Sequence, residues 1–482
     1  MASHPIKDDK EVSKTMDDNQ VHIAVGTVEE RRAYTLRTLF RSVLFQMVLF
    51  GALSFVGPAM SDAITNLGGG GLSSPWLANL ANSLSYTMSF FSTIIGGPII
   101  NRIGIKWACV IAALTMPLQG SSYYVNARYH NEAYLLAANV IKGIGGGFLY
   151  VGETTAMLSY PKPEDRGFYL GVWSAMRNSG SVIGGAINFS TNHTDSKGGG
   201  IAWATYLIFV GFECSGFIWA LLLSTTSKVR RRDNSPVNMS VEVSWKEEFL
   251  ALWSYLKELK TWLIFIPAFY SFFYGGTMGT YLSLHFSVRA RALSSLIVPT
   301  ITIPSVVLFG KLLDTPRWSQ RRRAWTAMSV WGLLQMGCFI WIAVEYAVLP
   351  DKIALDYRLH SHKWARAYMP YLIIFVSGYW TQLTLYWILS TLSDDVGRAS
   401  RSGGVFRAFE TAGQAVAYGL SSANHIHHVI PLYVNLALLV LTIPSISLLI
   451  TKMPRRPEEL AHTVEEHTKQ HEVVLADSSK GK

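Results

Sequence analysis

The sequence predicts an all-α membrane protein with about twelve transmembrane helices in two six-helix halves. Its 482 residues are 50% hydrophobic and only 15% charged, whereas soluble proteins carry about 25% charged residues. Apolar runs of about 20 residues, the length that crosses a bilayer, recur along the chain. A long polar segment separates two sets of these runs. Repeated membrane crossing therefore explains the composition.

The predicted spans follow the same rhythm in both halves. A polar turn at 159–166 joins two glycine-rich apolar runs between residues 142 and 189, which form a helical hairpin. The other first-half spans are predicted near 40–64, 76–95, 107–125 and 201–223, and the second-half spans near 262–285, 293–313, 325–349, 368–392, 405–422 and 429–450.

Shifts in composition predict five segments. These are a disordered cytosolic tail at 1–38, a six-helix half at 39–225, a cytosolic loop at 226–260, a second six-helix half at 261–452 and a cytosolic tail at 453–482. The loop contains an amphipathic helix that we expect at the inner membrane surface. Its predicted apolar side comprises Trp245, Phe249, Leu252, Trp253 and Leu256.

The basic residues indicate the orientation in the membrane. The net charge is +10, and Lys and Arg are denser in one set of loops, which the positive-inside rule makes cytosolic. Both termini are then cytosolic. The sequon at Asn192 lies outside, so the chain is expected to be a glycoprotein. We expect a multi-pass protein of the plasma membrane by default, with an internal membrane as the alternative.

A short motif follows the second span and recurs in the second half. It consists of Gly97, Asn101, Arg102 and Gly104, and glycines there allow a tight turn while charges lock the inner helix ends. GKLLD, from Gly310 to Asp314, repeats the spacing from Gly to acid. We interpret both as gating loops, and the repeat supports two related halves.

Several stretches carry a family resemblance. They are GGGG with NRIG, GIGGGFLYVGE with SYPKPEDRG, FSVRARALSS with GKLLD, and QLTLYWILSTLSDD with RSGGVFRAFETAGQA. Together they resemble the Unc-ninety-three-like (ion channel regulatory protein) branch of the major facilitator superfamily, particularly its fungal members. The resemblance implies the twelve-helix major facilitator fold. Asn101 departs from the family pattern, which has an acid there, and Ile105 replaces an Arg.

Charges inside the predicted first-half spans mark a polar interior, because a charge at bilayer depth is costly unless it is paired or hydrated. Arg177 lies near the middle of the fifth span, with Glu213 of the sixth span as its expected partner. A bundle-locking pair and a substrate or proton-relay site are both open for Arg177. Lys142 is a further pathway candidate. Glu153 is expected to form a structural clamp with Arg166 or Arg102, and a proton site is the alternative for it.

The second half offers polar and aromatic stripes that we expect to face a central cavity. Ordinary hydrogen bonding between helices is the alternative for each residue. Arg407 and Glu410 are close enough to pair within one helix. The candidates are Tyr274, Tyr281, Gln382, Tyr386, Glu410 and Gln414.

These features favour a secondary transporter that moves a small organic solute by alternating access. Proton coupling is an option, since Glu213, Glu410 and His285 are titratable. The expected partners are the lipid bilayer and the solute, and no nucleic acid. The alternative is a non-transporting protein that regulates or escorts another membrane protein, which the loss of the acid at Asn101 mildly favours. No catalytic set is recognised, and no cofactor or metal site is predicted.

Overall fold

The computed structural model describes residues 38–162, 166–194, 197–237, 244–313, 315, 317–350, 353–391, 396–423 and 425–453. Within these residues the chain is helical, with only isolated bridges in place of sheets. The helices of the first half are α1 (Val43–Val56), α2 (Pro58–Thr65), α3 (Pro75–Ile103), α4 (Ile105–Thr115), α5 (Pro117–Tyr129), α6 (Glu132–Ser159), α7 (Arg166–Asn192) and α8 (Ala204–Leu222).

The remaining helices follow the polar segment. They are α9 (Trp245–Lys257), α10 (Leu259–Ser271), α11 (Tyr274–His285), α12 (Val288–Leu313), α13 (Gln320–Val348), α14 (Ser361–Ser390), α15 (Val396–Ser422) and α16 (Ile430–Thr451). Two short 3₁₀ helices, Gly69–Gly71 and Thr226–Lys228, complete the described part of the chain.

Three spans are built from two consecutive helices. The first breaks between α1 and α2 at Gly57, and the third breaks between α4 and α5, because Pro58 and Pro117 lack the N–H that would continue the helix. The seventh breaks between α10 and α11 at Phe272. Joining these three pairs and setting α9 aside reduces the sixteen described helices to twelve spans. The predicted all-helical architecture is confirmed.

Polarity is concentrated where the two halves meet. Seven of the described spans are long and apolar enough to cross a membrane by length and composition. The long helices α3, α7 and α15 fall outside this group, and these helices carry the contact between the halves: α3 packs on α15 and α7 packs on α12. Polar side chains lower the hydropathy of these three helices. Because those side chains face protein rather than lipid, the helices are still suited to the membrane.

Each half has its own apolar core. One cluster of buried side chains fills the second half, and two clusters fill the first half among the described residues. Glycines permit the closest helix crossings. A Cβ at Gly143 of the GIGGG stretch would lie 2.2 Å from the Ser85 carbonyl oxygen of α3. That stretch therefore serves helix packing.

Several predicted boundaries shift. Helix α3 continues to Ile103, so Gly97 to Arg102 are helical and the turn falls at Gly104, whose φ is +84°. Helix α12 begins at Val288, so Arg289 and Arg291 are buried helical residues instead of outer-loop residues. Among the apolar residues of α9, Leu252 is buried, whereas Trp245, Phe249 and Trp253 are exposed. The five-segment division and the cytosolic position of α9 stay predictions.

A buried ion pair closes the connection between α13 and α14. Arg289 donates two hydrogen bonds to Asp356, at 2.5 and 2.6 Å, and Ser287 donates a third at 2.7 Å. Burial alone would raise the pKa of the Asp356 carboxyl, but hydrogen bonds from Arg289, Ser287 and the Arg358 N–H outweigh it and lower that pKa to about 2. Ionised Asp356 therefore stabilises the fold above its ordinary pKa, and the stabilisation is lost as the pH falls towards 2.

We expect Asp356→Ala to lower the free energy of unfolding at pH 7 by about 3 kcal/mol, because it leaves the Arg289 guanidinium buried without its counter-charge. Thermal unfolding of the purified protein in detergent measures this loss. Asp233→Ala is the matched control, since Asp233 and Lys162 form an exposed pair at 2.9 Å, and it should leave the midpoint unchanged. Equal midpoints for wild type and Asp356→Ala would contradict the assignment.

Candidate functional site

Two largely buried arginines, one from each half, meet at the contact between the halves. Arg177 lies on α7 and Arg407 lies on α15, and each is held by a carboxylate of its own half. Tyr150 of α6 lies within electrostatic range of both guanidinium groups. We call this cluster the arginine–tyrosine site; it consists of Asp62, Tyr150, Arg177, Arg407 and Glu410.

The partner of Arg177 is Asp62, so the predicted pairing with Glu213 is wrong. Arg177 Nη2 donates to Asp62 Oδ2 at 2.8 Å, and the side chains are 11% and 24% exposed. Asp62 lies on the short helix α2, which packs on α7. The break at Gly57 allows α2 to start in a new direction and brings Asp62 to Arg177.

The second-half pair confirms the predicted contact between Arg407 and Glu410. Arg407 Nη1 donates to Glu410 Oε2 at 2.5 Å. Glu410 Oε1 accepts hydrogen bonds from Ser271 at 3.1 Å and from Gln382 at 3.3 Å. The Arg407 guanidinium carbon also lies 4.3 Å from the centre of the Tyr150 ring, a cation–π contact that crosses from one half to the other.

Further tyrosines surround the two arginines. Tyr386 hydrogen-bonds to Thr154 of the first half at 3.4 Å. Tyr86 of α3 stacks on Tyr418 of α15, with ring centres 5.6 Å apart. Tyr379 is within electrostatic range of Asp62 and Arg177, and Tyr274 packs nearby against Phe375. The contact between the halves is therefore cationic and aromatic at this level.

Other candidates lie away from this site. Tyr281 is buried inside the second half, where it donates to the Ala367 carbonyl at 3.1 Å and packs against His285 and Tyr346. Tyr281 and His285 are thus core residues and not cavity-lining ones. Gln414 is half-buried on α15. Lys142 and Glu213 line a small cavity inside the first half.

Glu153 is also a core residue. It is 1% exposed and accepts a 2.5 Å hydrogen bond from Ser54, which in turn accepts one from the Trp173 indole at 2.9 Å. This network takes the place of the predicted clamp. Arg102 instead stacks on Trp245 of α9, at 5.5 Å, and the Arg166 side chain lies outside the described residues.

The chemistry that this site offers is hydrogen-bond donation beside aromatic surface. Each guanidinium uses one terminal nitrogen for its carboxylate, and within the described residues the Nε of Arg177 and the Nε of Arg407 have no hydrogen-bond partner. Buried donors without partners are costly, so a bound acceptor group would be stabilised there. In the same part of the chain, no group of three His, Cys, Asp or Glu side chains is arranged for a metal ion.

The halves touch at both ends of the site. We call the end that carries Asn101 and α9 the inner end, because the charge pattern predicts it to be cytosolic. At the outer end, the Val288 N–H donates to the Lys197 carbonyl at 2.9 Å, and Arg291 donates to the Gly199 carbonyl. Asn79 of α3 donates to the Ser421 carbonyl of α15 at 3.1 Å.

At the inner end, α9 joins the two halves through a carboxylate. Glu248 is 2% exposed and accepts from Asn101 at 3.1 Å and from Arg401 at 3.0 Å. Ser400 donates to Asn101 at 2.8 Å. We call these four residues the inner latch. The acid that is missing at position 101 is thus supplied by the linker helix.

Glycines of the predicted gating loops shape this end. A Cβ at Gly97 would lie 3.0 Å from the Ser400 carbonyl oxygen, so glycine eases the close packing of α3 on α15. Gly104 makes the turn from α3 to α4. In the second half, Gly310 lies in the last turns of α12, and Asp314 is outside the described residues.

Asp62 and Glu248 are site residues that were not predicted from the sequence. Asp62 was detectable as an acid within the first apolar run, a position that implies a buried partner. Glu248 had no such signal, because an acid on a surface helix is ordinarily solvated. Its role depends on where α9 docks.

The structure opposes a glycan at Asn192. Its side chain is 4% exposed, and its amide nitrogen donates to the Asn188 carbonyl at 3.0 Å. Its oxygen accepts from the Ala202 N–H at 3.0 Å. A glycan on this nitrogen would break the contacts that hold the end of α7. We therefore interpret Asn192 as a residue that stabilises this helix end.

We expect Glu248→Gln to loosen the inner latch by about 1.5–3 kcal/mol, the value of a hydrogen bond to a charged group. Spin labels at Trp107→Cys and Trp325→Cys, both exposed in the native protein, would report the distance between the inner ends of the halves in a background without native cysteines. A longer distance should become populated. Lys246→Ala, an exposed change on the same helix, is the control, and identical distance distributions for all three proteins would rule the latch out.

Comparison with known proteins agrees with this architecture. The family model of the Major Facilitator Superfamily matches residues 43–421. The chain is 32% identical over 393 residues to Notoamide biosynthesis cluster protein O' of Aspergillus versicolor, covering 81% of this chain and 85% of that protein. It is 27% identical over 433 residues to UNC93-like protein 1 of Arabidopsis thaliana, covering 88% and 94%.

Solved structures show the same fold. A D-xylose-proton symporter matches with a TM-score of 0.55 at 13% identity, covering 87% of this chain and 97% of that one. A bacterial homologue of the iron transporter ferroportin, in an outward-facing state, matches with the same TM-score and covers 84% and 98%. The chain is therefore a multi-pass membrane protein that belongs to the major facilitator superfamily and is similar to UNC93-like proteins.

Proposed function

We propose that this protein is a secondary transporter that moves a small organic solute across its membrane by alternating access. The superfamily and the fold support a membrane transporter. The observation that carries the finer proposal is the arginine–tyrosine site. There, within the residues that the structure describes, two largely buried arginines of opposite halves each keep an Nε without a hydrogen-bond partner, beside a set of tyrosines. A site formed by both halves is where a rocking motion changes access.

The chemistry of this site favours a particular kind of solute. Two free N–H donors fit a solute with an anionic or carbonyl oxygen, and the rings of Tyr150, Tyr86 and Tyr418 fit an apolar or aromatic body. The similarity to a protein named for a biosynthesis cluster is consistent with a small organic solute.

The alternative, a regulatory or trafficking partner of another membrane protein, rests on the missing acid at position 101. Glu248 supplies a carboxylate at that position in space, so the missing acid no longer favours the alternative. The UNC93-like names of the relatives leave the solute open. The two functions are distinguished by whether the protein moves a compound across the membrane.

We expect Arg177→Ala and Arg407→Ala each to reduce solute transport about tenfold or more, since each removes a charged donor worth about 1.5–3 kcal/mol. An untargeted comparison of small molecules inside and outside cells, with and without the protein at equal membrane abundance, identifies the solute and measures the loss. Arg366→Ala is the matched control, because Arg366 pairs with Glu345 at 2.9 Å away from the contact between the halves.

If both variants move a compound at the wild-type rate, the proposed role of the arginine–tyrosine site is wrong, but the protein is still a transporter. A failure to find any redistributed compound across varied growth conditions, together with a membrane protein that co-purifies, would favour the alternative function.

We also expect Tyr150→Leu to reduce transport about tenfold, because it removes the cation–π contact with Arg407, worth about 1–2 kcal/mol when desolvated. Tyr150→Phe keeps the ring and should keep most of the activity. Tyr134→Leu, on the outer part of the same helix, is the control. Equal losses for Leu and Phe at position 150 would assign the effect to the hydroxyl group instead.

A further inference from the structure

A second polar site lies inside the first half and shares Tyr150 with the arginine–tyrosine site. Its cavity, about 30 Å³, is enclosed by α2, α4, α5, α6 and α8. That volume admits about one water molecule and excludes an organic solute. The polar side chains on its wall are Ser61, Gln119, Lys142, Tyr150 and Glu213.

The lining is built from buried groups with specific contacts. Glu213 is 1% exposed, and its Oε2 accepts from the Gly120 N–H at 3.0 Å. Lys142 Nζ donates to Ser61 Oγ at 3.4 Å, and Ser61 donates to Gln119 Oε1 at 2.7 Å. Gln119 is 1% exposed, and its Nε2 has no hydrogen-bond partner within the described residues. These groups face one another across the cavity.

Two carboxylates, those of Glu213 and Asp62, interact electrostatically with the Lys142 ammonium group. The ammonium group forms no ion pair within 4 Å with either of these described residues. Asp62 follows Ser61 on α2, so Ser61 faces the cavity while Asp62 faces Arg177 of α7. Four charges of alternating sign thus run from the cavity to the contact between the halves: Glu213, Lys142, Asp62 and Arg177.

We propose that these four residues form a charge relay that couples proton binding at Glu213 to the freedom of Arg177 to bind a solute. The proposal rests on the proposed transport function and adds a proton site to it. A hydronium ion gives its proton to the Glu213 carboxylate, leaving a neutral acid and water. Lys142 then loses one of its two counter-charges and moves towards Asp62, which releases Arg177.

The neighbouring titratable groups are few. Helix α6 contributes Lys142 and Tyr150, and α2 contributes Asp62 behind Ser61. Helices α4 and α5 line the cavity with Ala112, Thr115, Met116 and Gln119, none of which carries a charge. Protonation of Glu213 is therefore felt first by Lys142. The break at Gly57 gives α2 a boundary about which to shift.

The test needs no solute. The purified full chain in lipid nanodiscs is treated at one fixed pH with phenylglyoxal, which modifies free guanidinium groups, and modified Arg177 is counted by mass spectrometry. Glu213→Gln imitates the protonated acid and should raise Arg177 modification about fivefold or more, the lower range of typical coupling between sites. In the double variant with Lys142→Met, modification should return to the wild-type level, because Lys142 transmits the effect.

Two controls protect the result. Glu153→Gln removes another buried acid of the first half, outside the cavity, and should leave Arg177 modification unchanged. Arg407 modification in the same samples reports general loosening and should stay constant. An unchanged Arg177 in Glu213→Gln, an increase that persists without Lys142, or a parallel rise at Arg407 would each overturn the relay. Any of these results leaves the solute experiment above to be judged separately.

Discussion

The cost of burying charge within a membrane is the constraint on which the interior of this protein depends. The two arginines of the arginine–tyrosine site each lie beside a carboxylate, Arg177 with Asp62 and Arg407 with Glu410. Pairing with a carboxylate offsets the cost of burying each arginine. Among the described residues, it still leaves the Nε donor of each guanidinium group without a hydrogen-bond partner. Because each of these two ion pairs stays within its own half, neither pair has to break when the halves separate.

The same cost of burying unpaired charge explains the contacts at the inner end. A charged cluster is expected where the second span ends, and Asn101 stands in place of its acid. The carboxylate is present, but Glu248 provides it from a helix that follows about 150 residues later in the chain. The link between the halves therefore passes through the linker helix, so any factor that moves α9 also acts on the inner latch.

The sequence predicted the class of the fold and the neighbourhood of the site, but not its connections. Arg177, Glu410, Gln382 and Tyr386 were found because polar residues in apolar helices must face other protein. Their partners were harder to assign. Glu213 was chosen for Arg177 by depth in the membrane, whereas the bend at Gly57 brings Asp62 there instead. Tyr281 and His285 share the helical stripe of Tyr274 but lie further out, where α11 packs inside its own half.

By itself the sequence determined the helical spans, their division into two halves and the presence of charges that need a protein interior, because each follows from local composition and period. The tertiary structure alone decided which carboxylate meets which cation, that Glu248 replaces the missing acid, and that the amide of Asn192 is buried. These depend on distances between residues far apart in the chain. Helix breaks and the way the helices cross set those distances.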